Sequence, residues 1–387
     1  YRVLGVAQKS VPKKEKYAVE DERAMVFMGF LLFFDPPKAD AAETVSDLVK
    51  HGVGLRIITG DNKLAALHIA SAIGLNVRKA LTGPEIAKLS DQLLENTIET
   101  VDLFAEVDPS QKERILLALK KKNHVVGYMG DGINDAPALH AADVSISVSS
   151  AVDVAKESAN FVLQEKSLRV LIRGIELGRT TFANTLKYIW ITTSANFGNM
   201  FSMAGASLFL PFLPLLPKQI LMINFITDFP AVTIAEDSVD EEMIRSPHRW
   251  NIRFICNFMV VFGLISSVFD YLCFAILLLA FDTPEELFRS GWFVLSILTE
   301  LVTLLAMRTK KPFYRSKPAP ILLFSTVALG LFSLAMPYLP FHQLLDLISI
   351  PLPTLASLLG IAVLYLITIE ITKHFFYRSK LGRTEKN

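Results

Sequence analysis

"NHVVGYMGDGINDAPAL" occupies residues 123–139, and its reading decides the fold of the first half of the chain. A short apolar run ends in two glycines interleaved with Asp131, Asn134 and Asp135, and a helical pattern follows over 134–142. Strand, tight acidic turn and helix make a βα unit whose polar groups project from the carboxyl end of the strand. Gly130 and Gly132 permit the turn and a close approach of backbone to ligand, while Asp131, Asn134 and Asp135 supply hard oxygen ligands suited to Mg²⁺.

The same alternation runs outward through residues 1–165. Apolar runs at 25–34, 55–59, 103–107, 124–129 and 144–147 alternate with helical patterns at 38–51, 62–74, 109–122 and 134–142. This order predicts a parallel sheet with crossover helices on both faces and ligands gathered at the strands' carboxyl ends. Two further segments fall on that edge. "TGD" at 59–61 offers the Thr59 hydroxyl, the Gly60 amide, Asp61 and the start of a helix, which together make an anion cradle. Lys112, in "DPSQKERI", places a cation on the helix after the next strand. Each part alone is commoner as a turn, a helix cap or a solvated lysine. In this order, each after a strand, they are the parts that hold a phosphoryl group with its metal.

Composition sets the second half apart. The chain has 387 residues, 51% of them hydrophobic, and its mean hydropathy of +0.39 requires that part of it lie in a membrane. A net charge of +1 gives no basis for a nucleic-acid partner. The two cysteines, Cys256 and Cys273, share one apolar stretch and read as packing residues rather than a disulfide or metal cage. The opening "YRVLGVAQKS" has neither an initiating Met nor a signal-peptide pattern, so the chain is expected to start inside a domain.

A charged helical pattern at 165–187 reads as a connecting stalk, and six apolar stretches follow, centred near 188–210, 219–235, 252–280, 292–307, 319–339 and 354–375. Each is about long enough to cross ~30 Å of hydrocarbon, the fourth marginally. Basic residues concentrate in 308–317 and 373–383 and are missing from 211–217 and 337–353. The positive-inside rule then places the soluble region and the carboxyl terminus in the cytoplasm. Asn196 and Asn199 lie i, i+3 on one helix face, and Asn224, Thr227 and Asp228 lie i, i+3, i+4 on another. Pro230 frees backbone carbonyls near Asp228. Intramembrane carboxylates are functional candidates by default, so Asp270 and Glu300 join the set. Interhelical hydrogen bonding is the competing reading for the asparagines, and Asp270 could pair with a neighbouring helix rather than face an ion.

The segments "DPPK" (35–38), "ITGD" (58–61), "DPSQK" (108–112), "GDGINDAPAL" (130–139) and "DVAKESANFVL" (153–163) resemble the carboxyl-terminal part of a P-type cation-transporting ATPase over essentially the whole chain. The resemblance implies an α/β haloacid-dehalogenase-like (Rossmannoid) phosphorylation domain at 21–165, preceded by the end of a nucleotide-binding domain at 1–20. A stalk helix at 166–187, an all-α six-helix transmembrane domain at 188–375 and a cytoplasmic tail at 376–387 would follow. In that family Asp131 would coordinate the catalytic Mg²⁺, with Asn134 and Asp135 holding the site together. Thr59 and Gly60 would contact the phosphoryl oxygens and Lys112 would neutralise their charge. Asp35 and Asp61 would support them, and Lys38 stands where the family usually has Arg, keeping the charge but losing a bidentate contact. Asn196, Asn199, Asn224, Thr227, Asp228 and Glu300 would form the transport site, with Asp270 supporting.

The family's D-K-T-G-T and T-G-E loops do not occur here. The resemblance therefore implies a fragment whose phosphorylated Asp lies upstream. It implies an ATP-driven pump of a bacterial plasma membrane that forms an aspartyl-phosphate, with ATP, lipid and the transported cation as partners. "GLISSVFDYL" and "NFITDFPAVTIAEDSVD" look most like the magnesium-transporting branch, whose direction is uptake; proton, calcium or another divalent cation stays open. A non-catalytic truncated membrane protein binding Mg²⁺ or a partner is the reading from another class.

Overall fold

The structure, a computed structural model, describes residues 2–13, 16–33, 36–165, 167–379 and 381–382. The chain divides into two compact units, Tyr1–Ile175 and Glu176–Asn387.

In the first unit β1 (Arg2–Gln8) and β2 (Val26–Phe33) pair antiparallel as a two-stranded ribbon, with a bulge between Val6 and Ala7. After them come α1 (Ala41–Lys50), β3 (Ile57–Ile58), α2 (Lys63–Ala72), β4 (Ala80–Thr82), α3 (Gly83–Ala87) and α4 (Asp91–Thr97). The unit continues with β5 (Leu103–Ala105), α5 (Pro109–Lys121), β6 (Gly127–Met129), α6 (Ala136–Ala141), β7 (Val144–Val148), α7 (Asp153–Glu157) and β8 (Phe161–Leu163). The expected single sheet is instead two parallel three-stranded sheets, in the orders β3-β5-β4 and β6-β7-β8, plus the ribbon. The run at 25–34 forms β2 as expected but joins neither parallel sheet. Strands β4 and β8 were not expected, because each lies in an apolar run no longer than its three residues, bounded by Lys79 and Gly83 or by Asn160 and Gln164.

Burial explains the local choices. Leu103, Phe104 and Ala105 are all buried because β5 is the central strand of its sheet. Helix α1 buries Ala41, Thr44, Val45 and Leu48, an i, i+3, i+4, i+7 stripe. Asp108 caps α5 through the Gln111 amide, and Pro109 stands in its first turn. Helix α5 packs Ile115 and Ala118 into one apolar cluster and Leu116 into another, and Ile58 and Leu119 touch both clusters. Asp40 accepts from the Ser167 hydroxyl and the Leu168 amide, each at 2.7 Å, and so satisfies the start of the long helix α8 (Arg169–Ala206).

The second unit holds most of α8, then α9 (Pro217–Val232), α10 (Glu241–Arg245), α11 (Ile252–Ala275) ending in a π turn at Ile276–Ala280, α12 (Glu285–Met307), α13 (Pro320–Ala335) and α14 (Leu352–Arg378). Among the described residues four helices are long and apolar enough to cross a membrane: Ile252–Ala280, Glu285–Met307, Pro320–Tyr338 and Leu352–Arg378. The other two of the six expected spans are helical but fall short of that measure. Helix α9 has only 16 residues, and the second half of α8 carries Thr, Ser, Asn and Gly among its apolar residues. The marginal fourth stretch gains length by starting at Glu285 rather than near 292, with Glu285 and Glu286 in the first turn where the helix dipole favours them. Helix α12 is buried nearly all round because α9, α11, α13 and α14 all pack against it. Both cysteines are free; Cys273 is a packing residue, but Cys256 is exposed.

Helices α8 and α11 cross on glycines. A Cβ on Gly263 would meet Phe197 Cδ1 at 2.6 Å and the Ser194 carbonyl at 3.0 Å, and one on Gly198 would meet the Gly263 carbonyl at 3.0 Å. The Ser267 hydroxyl donates to the Gly198 carbonyl at 3.0 Å across the contact. Gly263→Val should therefore cost about 1–3 kcal/mol by overpacking, seen as a lower thermal midpoint in detergent micelles. Gly174→Ala, with open space around its added methyl, is the control expected to hold or raise the midpoint. An unchanged midpoint for Gly263→Val refutes the close crossing.

Candidate functional site

Loops follow the carboxyl ends of β3, β5 and β6, and those after β3 and β5 are bonded to each other. The Thr59 hydroxyl donates to Asp61 Oδ2 at 3.1 Å and accepts from the Asp61 amide at 3.1 Å, so the TGD turn is closed on itself. The next loop is stitched to it: the Val107 amide donates to the Thr59 carbonyl and the Glu106 amide to the Asp61 carbonyl, at 3.2 and 2.9 Å. Glu106 adopts a left-handed conformation, φ 58°, and its carboxylate accepts from Asn62 Nδ2 and the Lys63 amide at 3.1 Å each. No pattern in the sequence marks Glu106 for that work.

The third loop is organised by Asp135. Its Oδ1 accepts from Lys112 Nζ and from the Tyr128 hydroxyl, both at 2.7 Å. Its Oδ2 accepts from the backbone amides of Asp131 and Gly132 at 3.2 and 3.1 Å. Gly130 must be glycine because a Cβ there would lie 2.5 Å from the Asp135 Cβ. Burial pushes the Asp135 carboxyl up, but the hydrogen bonds from Lys112, Tyr128 and the Gly132 amide outweigh it and hold the group below the usual carboxylate range. Burial, then the Asp135 charge, push the Tyr128 phenol up, so it stays a donor. Sequence reading missed Tyr128, the middle residue of β6, whose hydroxyl is that short strand's polar side-chain group.

With Asp135 fully engaged, Asp131 and Asn134 are left exposed at the loop tip. An exposed carboxylate beside an amide oxygen fits Mg²⁺, which takes one or two protein ligands and keeps waters and phosphate oxygens for the rest. Among the described residues no group of three His, Cys, Asp or Glu side chains closes a metal cage by itself. Lys38 is exposed, and Asp35 lies outside the described residues.

The second unit has its own polar cluster. Asn199 of α8 donates its Nδ2–H to Glu300 Oε1 of α12, and Thr227 of α9 lies beside Glu300 while its hydroxyl donates to the Ile223 carbonyl of its own helix at 3.0 Å. Asn196, Asn224 and Asp228, expected in the same group, are exposed; Asp228 shares its face of α9 with the exposed Phe225 and Phe229. Asp228, one position beyond Thr227, is exposed yet near enough for its charge to act on Glu300. Asp270 is a separate crosslink, accepting from the Ser202 hydroxyl at 2.6 Å and Trp292 Nε1–H at 2.9 Å.

Two family descriptions match the two units. Residues 7–143 match "haloacid dehalogenase-like hydrolase" and residues 212–375 match "Cation transporting ATPase, C-terminus". The Magnesium-transporting ATPase, P-type 1, of Escherichia coli (strain K12) is 43% identical over 383 residues, 97% of this chain and 43% of that protein. The chain is a member of the P-type ATPase family. A protein of the same description from Salmonella typhimurium (strain LT2) is 37% identical over 98% of the chain, which covers 42% of the relative. Calcium-transporting ATPase 1 of Bacillus cereus is 32% identical over a shorter stretch, 64% of the chain and 28% of the relative. The chain thus spans about two fifths of the length of the magnesium-transporting relatives. With its four apolar helices, this P-type ATPase chain is a multi-pass membrane protein.

The Lys112–Asp135 pair of the P-type ATPase chain is buried, its side chains 12% and 10% exposed. Asp135→Asn should cost roughly 2–4 kcal/mol at neutral pH, because it strands the ammonium. The folded carboxyl titrates below its unfolded value of ~3.9, so its contribution is complete above that pH and fades as pH falls through the folded value. The difference in thermal midpoint between wild type and Asp135→Asn should then close below about pH 4. A difference that persists undiminished in acid would show that the charge is not what Asp135 contributes.

Proposed function

We propose that this chain is the phosphoryl-handling and transmembrane part of an ATP-driven pump that works through an aspartyl-phosphate and moves Mg²⁺. The observation that carries the reading is the meeting of Asn199, Thr227 and Glu300 from three helices, in a chain whose other unit pairs Lys112 with Asp135 beneath the exposed Asp131. The names of the relatives at 43% and 37% identity support magnesium over calcium.

Each residue has a part that its geometry allows. The Thr59 hydroxyl and the amides of the TGD turn would receive phosphoryl oxygens, and Lys112, steadied by Asp135, would offset their charge. Asp131 and Asn134 would hold Mg²⁺, which when bound supplies further charge neutralisation. The nucleophilic Asp would come from a strand that this chain does not contain. The free edges of β3 and β6 support this, since a parallel strand between them could pair with both. In the membrane, Glu300 supplies the charge and Asn199 and Thr227 the neutral oxygens. Asp228, Asn224 and Asn196 would complete the site against the part of the protein found in the longer relatives. We place the first unit and the carboxyl terminus on the cytoplasmic side of a bacterial plasma membrane, where ATP is available.

Two substitutions in the full-length protein separate the halves of the proposal. Asp131→Asn should reduce phosphoenzyme formed from ATP by at least about 100-fold while membrane insertion survives. Glu300→Gln and Asp228→Asn should keep phosphorylation by inorganic phosphate, yet lose Mg²⁺ transport into sealed vesicles or require about tenfold more cation. Normal phosphoenzyme in Asp131→Asn, or wild-type transport in both membrane variants, would overturn the corresponding half.

A further inference from the structure

The three helices that supply the membrane cluster converge a second time, on Asp237. Its carboxylate is fully buried and accepts from Lys187 Nζ of α8 at 2.8 Å and from Arg308 Nη1, just past the end of α12, at 3.1 Å. The Ala319 amide, just ahead of α13, adds a third donor at 3.1 Å. Asp237 itself ends the 3-10 turn that continues α9. Around it, Asn184 Nδ2–H reaches the carbonyls of Ala235 and Asp237 at 3.1 and 2.9 Å. Lys187 also donates to the Ser238 carbonyl at 2.7 Å, and Arg308 Nη2–H donates to the Ser316 carbonyl. Thr309 and Lys311 bind Asp240 at 2.8 and 3.4 Å, which closes the same loop from the far side.

Two buried cations on one buried carboxylate are a poor device for stability alone, because taking three charges out of water offsets most of their attraction. Such groups are better suited to setting register, since each hydrogen-bond direction admits one arrangement. The register set here is that of α8, α9 and α12, which carry Asn199, Thr227 and Glu300. Between Thr227 and Asp237 the backbone is interrupted by Pro230, which has no N–H to give to the preceding turn, and by the change to 3-10 geometry. Helix continuity alone does not hold Thr227 against Glu300.

We propose that Asp237 is a positioning residue for the cation site: by clamping the carboxyl end of α9 to Lys187 and Arg308 it sets where Thr227 and its neighbours sit relative to Asn199 and Glu300. The proposal rests on the reading of that cluster as the transport site. A clamp of this kind acts on cation affinity more than on the phosphoryl chemistry in the other unit.

The test measures the Mg²⁺ dependence of transport and the maximal rate in sealed vesicles, using full-length protein, with thermal stability recorded alongside. Asp237→Asn should raise the half-saturating Mg²⁺ concentration about tenfold and change the maximal rate by less than about threefold. Asp237→Glu, which keeps the charge, should recover part of the shift. Arg308→Lys, which keeps a cation but loses the fork to Asp237 and Ser316, should shift it by about threefold and serves if Asp237→Asn does not fold. Half-saturation equal to wild type in the folded variants, with only stability reduced, overturns the proposal. Asp228→Asn and Glu300→Gln run in parallel: their loss of cation dependence with an unshifted Asp237→Asn overturns the clamp alone. Wild-type behaviour in both overturns the transport-site reading and the clamp with it.

Discussion

The soluble unit is organised around a single carboxylate with four donors. Asp135 takes the Lys112 ammonium and the Tyr128 hydroxyl on one oxygen and two backbone amides of its own loop on the other. The four donors come from three structural sources: helix α5, strand β6 and, for both amides, the GDG turn. Remove the acceptor and the turn loses both amide bonds, the lysine its counter-charge and the tyrosine its partner. Asp131 stays exposed at the tip because Asp135 meets the loop's internal demands. Division of labour between two nearby aspartates, one buried and committed, the other exposed and available, follows from the cost of leaving buried amides or a buried ammonium unpaired.

The membrane unit solves a related problem in a less forgiving solvent. A carboxylate buried inside a helical bundle needs donors from neighbouring helices, because lipid offers none. Asp270 finds Ser202 and Trp292 and Glu300 finds Asn199, while Asp237, just past the end of α9's 3-10 turn, finds two cations and an amide. Each of the three therefore crosslinks helices as a condition of being there at all. Arg308 illustrates how this affects a simple reading of loop charge. It counts toward the basic connection at 308–317, yet its guanidinium is buried against Asp237 rather than free at a membrane surface.

Parts of the site were legible in the chain because they are local. The order strand, GDG, helix needs only neighbouring residues, and so do the Asp108 cap and the α1 stripe. The links that complete the site are separated by tens of residues, and no spacing rule connects Lys112 to Asp135, Asn62 to Glu106 or Asp40 to Leu168. Tyr128 and Glu106 escaped notice because a tyrosine in a strand and a glutamate in a loop have many commoner explanations. The short strands β4 and β8 escaped because pairing, not periodicity, makes them strands.

The sequence by itself determined the class of the protein: an α/β unit with oxygen-rich turns at strand ends, followed by apolar helices with rare polar residues. Those are properties of composition and local period, which hydrophobic burial and backbone hydrogen bonding translate directly into elements. Only the tertiary structure decided that the parallel strands divide into two sheets and that β2 pairs with β1 instead. It alone decided that Asn199 of α8 donates to Glu300, that Thr227 is half-buried while Asp228 is exposed, and that Asp270 braces helices apart from that cluster. The reason is that a helix face is chosen by what packs against it. Residues one position apart differ by about 100° around the axis, so a neighbour's placement, invisible in the chain, determines which of two adjacent polar side chains is enclosed and which is exposed.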